Sequence, residues 1–144
     1  MTRWTTRNEE ETRDLGASLA AELAPDGVLL LSGDLGSGKT VLAQGIARGL
    51  GIGPREVQSP TFNLIREHQG PGGRLVHVDL YRLDPSEVPA LGLEELLAGR
   101  GVKVVEWAER LPFEVPGSRW LRLRRLPEGG REITESEQTL QEGL

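Results

Sequence analysis

The chain predicts an α/β layer fold with a mostly parallel central sheet flanked by helices. Three observations carry this. Val28–Leu31 is a short, uninterrupted apolar run, and Val102–Glu106 is a second apolar strand ending on a carboxylate, the composition of strands buried on both faces. Segments with helical spacing stand between the strand-like ones, the alternation that a layered α/β domain requires. A glycine loop, Gly33–Gly38, joins the first apolar run to a helical segment.

The elements follow in order. Glu9–Leu23 places Leu15, Leu19, Ala20 and Leu23 at helical spacing, with Asn8 as N-cap, and Pro25, Asp26 and Gly27 end it. Val28–Leu31 is a strand. Thr40–Leu50 reads as a helix with Leu42, Ile46 and Leu50 on one face and Gly51 as its stop. Ser59–His68 is strand-like after Pro60, and Gln69–Gly73 is a hairpin turn. In Leu75–Leu80, Leu75, His77 and Asp79 share one face, and Val76, Val78 and Leu80 the other. Asp84–Gly99 predicts one or two short helices, capped by Asp84 or Ser86. Val102–Glu106 is a second apolar strand ending on a carboxylate. Arg119–Leu126 alternates as a strand. From Glu128 onward the chain is acidic and reads as a frayed end or loose helix.

Composition narrows the functions. The 144 residues fit one domain, 1–144, long enough to bury a core without staples. There is no cysteine, which excludes thiol, iron–sulfur and cysteine–zinc sites. No apolar run approaches a membrane span and the N-terminus lacks a signal-peptide core, so a cytoplasmic protein is expected. A net charge of −5 argues against coating nucleic acid by bulk charge. Only Lys39 and Lys103 are lysines; the other fifteen basic residues are arginines.

Gly33-Asp34-Leu35-Gly36-Ser37-Gly38-Lys39-Thr40 fits G-x-x-x-x-G-K-[ST], the P-loop pattern. Glycines let backbone N–H groups turn inward around phosphate, and the positive end of the following helix dipole adds to the attraction. Lys39 would reach the β- and γ-phosphates and Thr40 would ligate Mg²⁺. The expected fold is therefore that of a P-loop NTPase. Asp79 and Glu106 both end apolar strands, at the edge where an open α/β sheet binds ligands, so either could reach the metal. Thr61, in Ser59-Pro60-Thr61, lies where P-loop switches sense the γ-phosphate, and His77 shares a face with Asp79 and could orient it.

Together with the P-loop, the runs SPTFNLI (59–65), HVDLYRL (77–83), LGLEELL (91–97) and VEWAE (105–109) resemble the bacterial TsaE family over about Asn8 to Arg110. That resemblance implies ATP and Mg²⁺ binding, weak hydrolysis, and work with the TsaB and TsaD proteins, whose complex modifies adenosine 37 of ANN-decoding tRNAs with threonylcarbamoyl. It implies phosphate contacts from Leu35, Gly36, Ser37, Gly38, Lys39 and Thr40, and Mg²⁺ at Thr40. It makes Glu106 the metal-linked acid and Thr61 and Asp79 switch positions. Trp107 would pack beside the nucleotide or a partner. Base contacts are expected from Arg124 or Arg131 and from Asn8–Thr12. Ser37 and Val41 replace the Ala and Thr usual in the family, and VEWAE replaces the frequent IEWPE.

Three other classes compete. A small-molecule kinase would need an arginine-bearing lid, which Arg119, Arg122, Arg124 and Arg125 could supply. A guanine-nucleotide switch lacks its N-K-x-D base reader here. A direct tRNA-binding module would use the same four arginines against phosphates.

Overall fold

The computed structural model describes residues 2–53, 57, 64–87 and 92–136. Seven strands form one sheet in the order β1-β7-β6-β2-β5-β4-β3. They are β1 (Arg3–Thr6), β2 (Val28–Ser32), β3 (Ile65–Gly70), β4 (Gly73–Asp79), β5 (Val102–Glu106), β6 (Arg119–Arg125) and β7 (Arg131–Ser136). The helices are α1 (Glu9–Leu23), α2 (Lys39–Gly49) and the short α3 (Leu93–Leu97).

The centre of the sheet, β6-β2-β5-β4, is parallel throughout. Antiparallel pairings close it on both sides: β3 on β4, and β7 on β6 with β1 outermost. Every residue of β2 and β5 is buried, which explains the unbroken apolar run of β2 and the three valines of β5 around the buried Lys103. Alternate residues divide between two cores. Leu29, Leu31 and Val104 pack with Leu19, Leu42 and Ile46 of α1 and α2 on one face. Leu30, Val78, Val105 and Trp120 pack with Leu93 and Leu97 of α3 and with Ala108 on the other. The 3-10 turn Ala108–Arg110 follows β5 directly.

Asn8 caps α1 as expected, its side-chain oxygen accepting from the Glu11 amide at 2.9 Å. Asp84 caps a short 3-10 turn over residues 85–87, accepting from the Ser86 amide at 2.9 Å, and α3 follows, as the two short helices expected over this stretch require. The strand expected from Ser59 begins at Ile65; residues 58–63, with Thr61, lie outside the described residues.

Two margins depart from expectation. The acidic stretch after Glu128 is not a loose helix through its first part: Arg131–Ser136 is strand β7. Gly129 and Gly130, both at positive φ, make its turn, and Ile133 is fully buried. Its carboxylates are consumed by the arginines of β6, with Glu135 on Arg119 at 2.7 Å and Glu132 on Arg124 at 3.2 Å. Strand β1, which local pattern did not announce, then pairs Trp4 opposite Ile133.

Lys103, one of the two lysines, is 1% exposed and structural, donating to the Asp26 carbonyl at 2.8 Å and to the Gly99 carbonyl. Among the described residues no helix is long and apolar enough to cross a membrane.

Candidate functional site

The carboxyl ends of β2, β5 and β4 meet at one edge of the sheet, where Asp79 stands directly opposite Glu106 in the β4–β5 register. Between β2 and α2 the chain must reverse within six residues. Gly33, Gly36 and Gly38 do this at positive φ. At Gly33 a Cβ would fall 2.4 Å from the Leu123 carbonyl, so no side chain fits there. The Ser37 amide closes the turn on the Asp34 carbonyl at 3.1 Å. Helix α2 then starts from Gly38 with no side-chain cap and no acidic residue in its first turn. Its partial positive charge is left to whatever occupies the adjoining cleft, in contrast to α1, which begins on Asn8 and three glutamates.

Lys39 folds back over the loop. Its ammonium donates to the Gly33 carbonyl, to the Asp34 carbonyl at 2.9 Å and to Ser37 Oγ at 3.3 Å. The Trp107 ring centroid lies 4.3 Å from Nζ. Burial holds the ammonium below the usual lysine range, while Glu106, Glu109, Asp79 and Asp34 pull it back up.

Thr40 and Glu106 meet at the head of α2. The Thr40 hydroxyl sits 2.9 Å from Glu106 Oε1 and 3.1 Å from Oε2. The second carboxylate oxygen is also 2.5 Å from His77 Nε2. Sequence spacing paired His77 with Asp79; the structure pairs it with Glu106 instead. Same-face residues on one strand stand side by side, whereas the diagonal neighbour across the β4–β5 ladder comes within reach. Asp79 is buried too, and its Oδ1 accepts from the Tyr81 amide at 2.9 Å. Neither carboxylate is a solvated strand end: Glu106 is 2% and Asp79 6% exposed.

Trp107 follows Glu106 in the left-handed region, at φ 59°. For a bulky L-residue this conformation costs about 1–2 kcal/mol. Packing holds it there, with the Tyr81 ring 4.9 Å away and Lys39 on its face. A residue so constrained, between a buried acid and a buried lysine, marks the site as built rather than incidental.

These groups line a cleft of about 500 Å³, large enough for a nucleotide-sized ligand. Leu35 to Thr40, Asp79, Glu106 and Trp107 line it together with Arg7, Asn8, Thr12, Gly130 and Arg131, and the Arg131 side chain lies against the loop at Gly38. Leu35, at the tip of the loop, is 64% exposed. Of the base-contact candidates, Asn8, Glu9, Thr12 and Arg131 line the cleft, while Arg124 does not and pairs with Glu132. Of the four β6 arginines, Arg119 and Arg124 are bound to carboxylates of β7, whereas the Arg125 guanidinium lies beside the glycine loop at Gly36. Arg7 and Tyr81 also line the cleft. No local pattern marked Arg7, and Tyr81 stood inside a quoted motif with no role attached. Among the described residues no group of three or more His, Cys, Asp or Glu side chains is placed to hold a metal.

A mixed α/β sheet with a parallel centre, carrying a glycine loop and two buried acids along one edge of its strands, defines the class. Residues 6–133 match the family described as threonylcarbamoyl adenosine biosynthesis protein TsaE, and the chain belongs to that family. It is 43% identical to the tRNA threonylcarbamoyladenosine biosynthesis protein TsaE of Bacillus subtilis, over 92% of this chain and 83% of that one. The Treponema pallidum protein of the same name is 39% identical, over 92% of this chain and 98% of its own. The crystal structure of Bacillus subtilis YdiB superposes with a TM-score of 0.71 at 40% identity, covering 93% of this chain and 83% of that one.

Proposed function

We propose that this TsaE-family chain is a single-domain P-loop ATPase that binds ATP with Mg²⁺ and hydrolyses it weakly in support of tRNA threonylcarbamoyladenosine formation. Its partners are the TsaB and TsaD proteins, it meets tRNA only through their complex, and it works in the cytoplasm. The observation that carries the reading is the glycine loop opening into a cleft beside an uncapped helix start, with the Thr40 hydroxyl against Glu106. The family's described role supplies the pathway.

The donor set suits magnesium. A hydroxyl and a carboxylate are hard oxygen ligands, and an ion of this kind takes one or two protein groups and completes its shell with water and phosphate. Thr40 and Glu106 would hold it. When bound, it neutralises charge on the triphosphate tail during phosphoryl transfer. The chain's own residues do the rest. Loop amides from Leu35 to Thr40 bind phosphate oxygens, and the α2 dipole adds to the attraction. Lys39 is desolvated and confined by Trp107, and its charge acts at the β- and γ-phosphates once its ammonium exchanges the Gly33, Asp34 and Ser37 contacts for phosphate oxygens. Asp79 and Thr61 serve as switch positions beside the γ-phosphate.

The test is a steady-state ATPase assay of the purified chain, alone and with the TsaB–TsaD complex, with and without Mg²⁺, alongside a pull-down by that complex. Hydrolysis that needs Mg²⁺ and changes rate in the complex is expected. A chain that neither binds nor hydrolyses ATP overturns the reading of the cleft; a rate indifferent to the complex removes the partnership.

A further inference from the structure

We infer that His77 is a positioning residue for Glu106, a buried hydrogen-bond donor whose Nε2 fixes the carboxylate for a divalent cation. The inference rests on the Mg²⁺–ATP reading of the cleft and adds a residue that reading does not use.

His77 is 0% exposed, on the α1/α2 face of β4, diagonal to Glu106 across the parallel ladder. Its Nε2 lies 2.5 Å from Glu106 Oε2. Nδ1 is buried and has no hydrogen-bond partner among the described residues. That asymmetry assigns the ring. A proton on Nε2 is donated to the carboxylate, whereas a proton on Nδ1 would be a buried donor with nothing to receive it, which costs on the order of 1–3 kcal/mol.

The chemistry of the donor matters. Glu106 is itself 2% exposed and, among the described residues, is contacted by the Thr40 hydroxyl and by His77 Nε2. The imidazole, held in the sheet, restrains the rotation of the carboxylate through one directed contact at Oε2 and leaves Oε1 to face Thr40. This is what residues behind a metal ligand do, and losing one typically weakens metal affinity by about 10–100-fold.

The experiment measures the affinity of the full chain for a fluorescent ATP analogue across a Mg²⁺ series, with a metal-free control. His77→Phe fills the same space without a donor. We expect the Mg²⁺ concentration for half-maximal enhancement of binding to rise about tenfold, while the metal-free affinity stays within about twofold of the parent. His77→Gln returns a donor near the Nε2 position and is expected to restore most of the Mg²⁺ dependence. In a Glu106→Gln background, His77→Phe should have no further effect. If the phenylalanine variant does not fold by circular dichroism, His77→Asn, smaller and unable to reach Oε2, takes its place. Parent-like Mg²⁺ dependence in the donor-less variant overturns the positioning role and leaves the ATPase reading standing. A parent chain that binds the analogue with no response to Mg²⁺ overturns both.

Discussion

Lys39 illustrates how a single residue can be costly to the fold and useful to the site. Burial disfavours its ammonium, and the molecule compensates with two backbone carbonyls, the Ser37 hydroxyl and the Trp107 ring. Those contacts offset a desolvation penalty rather than add net stability. Removing the charge should therefore harm binding and spare folding. Lys39→Ala is expected to weaken ATP affinity by roughly a hundredfold, the usual scale for losing one preorganised donor at a phosphate. Its melting temperature without nucleotide should remain within about 3 °C of the parent. Calorimetric titration with ATP and a thermal melt on the same preparation separate the two effects. A variant that loses several degrees and keeps its affinity would make Lys39 a structural residue.

At the scale of elements, glycine serves two separate purposes, and only one was legible. Glycines 33, 36 and 38 were readable because their spacing before Lys39 and Thr40 is itself the pattern. Gly16, Gly45 and Gly49 look like ordinary interruptions of a helix, yet they form the seam along which α1 and α2 touch. A Cβ on Gly45 would lie 2.2 Å from the Arg13 carbonyl, and one on Gly16 2.5 Å from the Leu42 carbonyl. Both obstacles are backbone and cannot step aside. Gly45→Ala is expected to cost about 2–3 kcal/mol and lower the melting point by roughly 5–10 °C, measured by differential scanning calorimetry. The parallel strands were legible for a related reason: double burial writes a local, unbroken apolar run. Strands β1 and β7 were not, because each presents a single apolar residue, half-buried Trp4 or buried Ile133, among polar neighbours whose partners lie on other strands. The same non-local pairing hid the partner of His77. The β6–β7 ion pair has a pH consequence. Two hydrogen bonds from Arg119, at 2.7 and 2.8 Å, hold the Glu135 carboxyl below its ordinary 4.5. A carboxylate depressed in the folded state stabilises the protein at pH above its unfolded value, and that contribution fades as pH falls through the folded one. Glu135→Gln should therefore cost on the order of 1 kcal/mol at pH 7, in keeping with a partly exposed pair. The difference from the parent should shrink below about pH 4.5 and vanish in stronger acid, which urea titrations across pH 2–7 would show.

The whole molecule is divided in a way that no single element reveals. One end of the cleft belongs to the parallel centre: the loop after β2, and the ends of β5 and β4. The rest of its lining belongs to the antiparallel margin: the start of α1, and the β6–β7 turn at Gly130 and Arg131, whose side chain reaches the loop at Gly38. These parts are far apart in sequence, and a ligand spanning the cleft would join them. Bound Mg²⁺–ATP should then stabilise the fold as a unit instead of ordering one loop. With the nucleotide at a hundred times its Kd, linkage gives about 2.7 kcal/mol, which for a chain of this size raises the melting temperature by roughly 5–10 °C. Hydrogen exchange should locate the gain. Amides of Gly36–Thr40 are expected to slow with Mg²⁺–ATP, and so are those of Arg7–Thr12 and of Gly130 and Arg131. Pyrophosphate with Mg²⁺ should slow the loop and Arg131, which lies against it at Gly38, and leave Arg7–Thr12 unchanged. Protection confined to the loop with the full nucleotide would mean that the margin takes no part in binding, and that the base sits outside the cleft drawn here.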